Sequence, residues 1–246
     1  NRDGDFYSFL SNRAKKRGVN VTSFGSRKKS DIFLLNIKKI NRYFRLKVSV
    51  KGKIYYFFSK YDAESYINNI LACVTVMFTL NLNLKKIKRI FIKFKIPEGR
   101  GDIKKVKKFN KRFNFIDESY NANPLSMRSA INNINLHKTK KNRKKLVFLG
   151  DMLELGKRAK ILHKSLARTI NKSDIDKVFV YGKYIRETFY SLSSAKKGKI
   201  FNNLKEANNH FSEILRNNDL LMIKGSNATG LNQFSKNIKK DQVSVI

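Results

Sequence analysis

Residues 113–136 read Phe-Asn-Phe-Ile-Asp-Glu-Ser-Tyr-Asn-Ala-Asn-Pro-Leu-Ser-Met-Arg-Ser-Ala-Ile-Asn-Asn-Ile-Asn-Leu, and their pattern decides the fold. Phe113, Phe115 and Ile116 read as the end of a strand. Asn123 carries the short acceptor side chain of a helix N-cap, and Pro124 the fixed φ of a first helical residue. Met127, Ala130, Ile131 and Ile134 then recur at i, i+3, i+4 and i+7, one apolar helix face that packs back on a sheet. The polar run from Asp117 to Asn121 therefore lies at a strand-to-helix crossing, and open α/β sheets bind ligands beyond the carboxyl ends of their strands. Two adjacent acids on a strand point to opposite faces, so only one of Asp117 and Glu118 can serve such a site. A second run, Leu149-Gly150-Asp151-Met152-Leu153-Glu154-Leu155-Gly156, places two more acids after another strand end.

Downstream, residues 146–149, 178–181 and 220–223 read as strands. Leu162/Leu166/Ile170 and Ala207/Phe211/Ile214/Leu215 mark helices between them. This alternation, with a further strand near residues 103–106, predicts a mostly parallel sheet with helices on both faces, a complete Rossmann-like domain. Upstream, residues 95–101 concentrate Pro and Gly and form the expected linker, dividing the chain into residues 1–97 and 98–246. Before it stand a helix over 5–17 closed by Gly18, a strand over 19–24, strands over 32–37, 43–50 and 54–58 with a hairpin across Lys51-Gly52, a helix carrying Ile67, Ile70, Leu71 and Val74, and another over 84–94.

Composition sets bounds on function. The 246 residues suffice for two modest domains. The most apolar stretch, Ile67 to Leu84, is broken by Asn68, Asn69, Asn81 and Asn83, so it reads as a core helix rather than a membrane span. The opening Asn-Arg-Asp-Gly-Asp is no signal peptide. The single cysteine, Cys73, rules out an internal disulfide framework and is expected as a packed thiol. A net charge of +36 invites a polyanion partner. The lysines, however, are spread over every segment, which predicts weak, salt-sensitive binding without sequence readout. No Cys/His cluster suggests zinc, and His137 and His210 have no partner acids at ligand spacing.

The ordered run from Ile116 to Gly156, with its Ser-Tyr-Asn-Ala-Asn-Pro, its following Ser-Met and its Gly-Asp-Met-Leu-Glu-Leu-Gly, resembles the Mur ligases. Asn1, Asp3, Asn69-Ile70-Leu71-Ala72, Pro97 to Arg100 and Lys224-Gly225-Ser226 extend the resemblance along the chain. It implies the remainder of a central ATP-binding domain over residues 1–97, then the family's carboxyl-terminal domain over 98–246. The implied activity is ATP- and Mg2+-dependent joining of D-alanyl-D-alanine to UDP-N-acetylmuramoyl-tripeptide, by a cytoplasmic monomer with no membrane span and no specific nucleic acid. The family's phosphate loop, ending Gly-Lys-Thr or Gly-Lys-Ser, has no counterpart here, so the chain reads as the carboxyl-terminal part of a ligase and no catalytic residue is assigned. Two alternatives stand: a noncatalytic basic binding module, and a related ligase such as folylpolyglutamate synthetase.

The resemblance also assigns residues. Asn69 would read adenine, with Ser65 at the family's His position; by chemistry alone it could equally be a buried amide. Arg100 would reach phosphate or ribose, against a solvated charge. Glu118 would bond ribose, where the family usually has Asp, and Asn121 stands on the same ATP side. Asp151, Glu154 and His163 would serve the incoming dipeptide, although Glu154 could cap a helix and His163 could be a surface histidine. Lys224 and Ser226 would bind substrate, with Asn227 where the family has arginine.

Overall fold

Strands with apolar residues on both faces need cover from two sides, and the second half of the chain supplies it. A computed structural model of the protein describes residues 1–26, 29–62, 64–94, 97–137 and 142–240. Lys95 and Ile96 of the expected linker, and the Ser65 side chain, lie outside the described residues. The chain divides into two units, Asn1–Lys95 and Ile96–Ile246.

The first unit runs α1 (Tyr7–Lys15), β1 (Phe24–Gly25), β2 (Ile32–Ile40), β3 (Tyr43–Val50), β4 (Lys53–Ser59), α2 (Glu64–Thr79) and α3 (Ile90–Lys93). Its sheet has the order β1-β2-β3-β4, with β1 parallel to β2 and the remaining pairs antiparallel. The expected hairpin turn forms at Lys51 (φ 47°) and Gly52 (φ 83°), left-handed positions that join twisted strands without splaying them. Ile32, Leu46, Val48, Val50 and Phe57 bury against Ile67, Ile70, Leu71 and Val74 of α2.

Three expectations need correction. The strand over 19–24 shrinks to Phe24–Gly25, because the Ser23 N–H and hydroxyl both donate to the Asp31 carboxylate (2.8 and 2.6 Å) instead of to a ladder. The helix over 84–94 splits into a 3-10 turn, Leu84–Ile87, and α3. The Lys88 carbonyl between them accepts the Phe58 N–H from β4 at 2.8 Å, and the Ile92 N–H turns to Arg89 instead. Cys73 is exposed rather than packed, since it lies outside the Ile67/Ile70/Leu71/Val74 stripe, on the flank of the helix.

The second unit runs β5 (Asp102–Lys108), β6 (Lys111–Glu118), α4 (Pro124–Leu136), β7 (Lys145–Gly150), α5 (Ala159–Asn171), β8 (Lys177–Tyr181), α6 (Arg186–Tyr190), β9 (Lys197–Phe201), α7 (Leu204–Ile214), β10 (Leu220–Lys224) and α8 (Leu231–Lys239). Its sheet has the order β5-β6-β10-β7-β8-β9; β5 is antiparallel and the rest are parallel. Alternate strand residues fill two cores. Ile116, Val147, Leu149, Val178, Val180 and Met222 pack under α4 and α5. Phe115, Phe148, Phe179, Leu221 and Ile223 pack under α7 and α8. The mixed α/β fold with parallel strands is as the alternation predicts; β9, α6 and α8 are elements that reading did not include. Among the described residues no helix is long and apolar enough to cross a membrane.

Candidate functional site

Three neighbouring strands, β6, β10 and β7, end on one edge of this sheet, and each ends in one of the polar motifs. The last residues of β6 alternate faces. Asp117 turns to the α8 side, buried, where its carboxylate meets Lys239 Nζ at 2.7 Å and accepts the Ser119 hydroxyl at 2.6 Å and its N–H at 3.1 Å. Burial raises the Asp117 pKa, but the Lys239 ammonium and the Ser119 bonds outweigh it and hold the acid below its ordinary range.

Glu118 turns the other way. Its Oε2 stands 3.2 Å from Lys224 Nζ, the residue paired with it in register across β6 and β10. Lys224 also donates to the Asn121 carbonyl at 3.0 Å. Burial pushes the Lys224 amine down, with Glu118 pulling it up and Arg100 adding to the fall. The segment before β5 closes over this corner. Gly101 donates its N–H to the Asp117 carbonyl at 2.7 Å, and at φ 94° a Cβ there would stand 2.6 Å from Glu118 Oε1. A side chain at 101 would thus displace the carboxylate. The Arg100 guanidinium lies 4.3 Å above the Tyr120 ring. Asn121 is exposed, with Oδ1 accepting the Ala122 N–H at 2.8 Å.

At the end of β7 the Asp151 carboxylate accepts three backbone N–H groups, from Lys183 (2.9 Å), Tyr184 (2.9 Å) and Ile185 (2.7 Å). It therefore shapes the turn that leads into α6. His163 is fully buried rather than at the surface. Its Nε2 accepts the Met152 N–H at 2.9 Å, which makes Nδ1 the donor to the Ala159 carbonyl at 2.7 Å. Both ring nitrogens are occupied by this loop, leaving none to face a ligand. Glu154 is exposed at φ 62° and makes no cap to α5. Ser226 Oγ accepts the Leu153 N–H at 3.0 Å, and the Ser226 N–H donates to the Asp151 carbonyl at 3.0 Å. Asn227, exposed, follows.

Between the ends of β7, β8, β9 and β10 opens a cavity of about 540 Å³ lined by Asp151, Leu153, Lys183, Arg186, Asn202 and Thr229 among others. Arg186 is fixed there by bonds to the Gly182 carbonyl (3.2 Å) and Asn202 Oδ1 (3.1 Å). Sequence reasoning missed Arg186 and Asn202; the signal was their place just past two strand ends. Glu118, Asn121, Arg100 and Lys224 thus come together, as do Asp151, His163 and Ser226. Asn69 lies on α2 in the other unit, exposed on the helix surface rather than buried as an amide. Among the described residues no group of three His, Cys, Asp or Glu side chains could hold a metal ion.

A mostly parallel sheet with acid-bearing turns at the carboxyl ends of β6 and β7 and a Lys-Gly-Ser turn at the end of β10 between them has its polar motifs where open α/β sheets bind ligands. Residues 99–227 match the family "Mur ligase, glutamate ligase domain", and the chain belongs to the Mur ligases. It is 32% identical, over 91% of its length and 46% of the relative's, to the UDP-N-acetylmuramoyl-tripeptide–D-alanyl-D-alanine ligase of Buchnera aphidicola subsp. Baizongia pistaciae. It is 25% identical to the Rickettsia prowazekii ligase of the same name, over 87% of this chain and 46% of that one. The chain thus spans about half the length of these relatives. Among solved structures it is similar to MurF from Acinetobacter baumannii (TM-score 0.74, 22% identity, 96% of this chain and 50% of that one). It is also similar to MurF from Thermotoga maritima in complex with ADP (TM-score 0.68, 21% identity, 96% and 53%).

Proposed function

We propose that this chain is the carboxyl-terminal part of a cytoplasmic, monomeric ligase that uses ATP to join D-alanyl-D-alanine to UDP-N-acetylmuramoyl-tripeptide. The tripeptide's terminal carboxylate takes the γ-phosphoryl group of ATP, giving an acyl phosphate and ADP. The dipeptide amine attacks that carbonyl, the amide C–N bond forms, and phosphate leaves. Such catalysis rests on positioning more than on side-chain chemistry. The observation that carries the reading is the convergence, on one sheet edge, of the Glu118 corner and the Arg186 cavity. Glu118 and Arg100 suit ribose and phosphate, Asn121 borders them, and Asn69 is the proposed adenine contact of the other unit. Arg186 offers a planar fork to the dipeptide's carboxylate. The dipeptide amine would lie toward Glu154 and the Asp151 turn, which His163 and Ser226 hold in shape. By itself the 246-residue chain is proposed to be inactive, because its sequence holds no Gly-Lys-Thr or Gly-Lys-Ser phosphate loop.

The test is a pair of variants in an intact ligase carrying this chain. Glu118→Ala is expected to raise KM for ATP about 10-fold or more, the worth of a hydrogen bond to a charged group. Arg186→Ala is expected to raise KM for D-alanyl-D-alanine by a similar factor and leave that for ATP unchanged. Unmoved Michaelis constants in both would refute the reading. Turnover of glutamate in preference to the dipeptide would point to a folylpolyglutamate synthetase.

A further inference from the structure

Lys224 is a buried ammonium that the chemistry above does not use. Its side chain is 2% exposed, and its bonds run inward to Glu118 Oε2 and the Asn121 carbonyl. A buried ion pair is a poor stabilising device, because desolvation offsets much of the attraction, so stability alone does not account for the pair. The place of the pair supplies another use. Glu118 is gripped on one oxygen by Lys224, while the other faces the Gly101 backbone, where a Cβ would stand 2.6 Å away. The Glu118 side chain is still 21% exposed. The same ammonium fixes the backbone of the turn after Glu118. Two residues further along, Ser226 ties this strand end to Leu153 of the neighbouring loop.

We propose that Lys224 is the positioning residue of the nucleotide side: it holds the Glu118 carboxylate and the Asn121 turn in the one arrangement that presents the carboxylate to a ribose hydroxyl pair. Lys224 itself meets no substrate. This rests on the reading that Glu118 faces ribose, and the experiment separates the two.

Rates are measured in an intact ligase carrying this chain with ATP, 2′-deoxyATP and 3′-deoxyATP. Unaltered, the enzyme is expected to show a KM for at least one deoxy analogue about 10-fold above that for ATP, the factor one charge-assisted bond confers. Glu118→Ala should bring this ratio to about 1. Lys224→Met should do the same, with KM for ATP rising more than kcat falls and KM for the dipeptide unchanged; a merely structural loss would lower the active fraction and leave the ratio intact. Should Lys224→Met fail to fold by thermal melting, Lys224→Gln, neutral but still a donor, is read by the same ratio. If the folded Lys224 variant keeps the ratio while Glu118→Ala loses it, the positioning role is overturned and the ribose reading stands. No discrimination in the unaltered enzyme overturns both.

Discussion

The imidazole of His163 accepts the Met152 N–H and donates to the Ala159 carbonyl, so it joins the loop after β7 to the start of α5. Burial pushes its pKa below the ordinary value, with the Ala159 bond and Asp151 pulling the other way. A base whose folded pKa is depressed binds fewer protons in the folded state than in the unfolded one. Its contribution is therefore complete above pH 6.5 and is lost as pH falls from there through the folded value. His163→Phe should leave the Met152 N–H unpaired and cost about 1–3 kcal/mol at pH 8. It should also flatten the fall in denaturation midpoint between pH 7 and pH 5, though not abolish it, since burial lowers His137 and His210 as well. Urea titrations at several pH values would decide; an unchanged slope would mean that His163 takes up its proton in place. The sequence marks this residue only by its neighbours. An imidazole at i+12 from Asp151 reads equally as ligand or surface, and its burial depends on how α5 rolls onto the sheet.

Helix α4 shows why some elements are legible. Every signal agrees: Asn123 accepts the Ser126 N–H at 2.8 Å, Ser126 Oγ accepts the Asn123 N–H at 3.1 Å, Pro124 is the first helical residue, and the four periodic apolar residues are all buried. Asn123→Ala should cost about 1 kcal/mol, read as a shift in denaturation midpoint without a change in slope. A loss of the transition's cooperativity instead would show that the cap also holds the Glu118 turn. Around α3 the local signals conflict with a contact that no window of sequence contains, the Phe58 bond to the Lys88 carbonyl, and the long-range bond wins. The candidate site divides the same way. Glu118, Asn121 and Lys224 are visible because motifs carry them, and the sheet then brings them together. Arg186 sits on α6, five residues long, where periodicity has nothing to act on.

Across the whole molecule the charge of +36 is not gathered on one reading element. Lys145, Lys224 and Lys239 are buried in ion pairs within the second unit. DNA binding should accordingly be weak, indifferent to sequence and steeply lost with salt, because counterion release supplies nearly all of it. A salt titration with two unrelated duplexes checks this; tight, sequence-selective binding that persisted at about 200 mM salt would favour a binding module over a ligase. The order of strands carries a consequence for how the molecule is made. β10 leaves the ribosome after the five other described strands of its sheet, yet it fills the slot between β6 and β7, pairing Leu220 with both Asn114 and Lys145. Until it arrives, the sheet is two fragments, each with a bare edge open to a neighbouring chain. A nascent or prematurely stopped polypeptide ending before residue 220 would therefore hold both acid-bearing turns but not the spacing between them, and would be the form most exposed to aggregation and proteolysis. The distance separating the two halves of the site is set by this one insertion, so a translation fault within the β10 codons disables residues encoded about a hundred codons earlier.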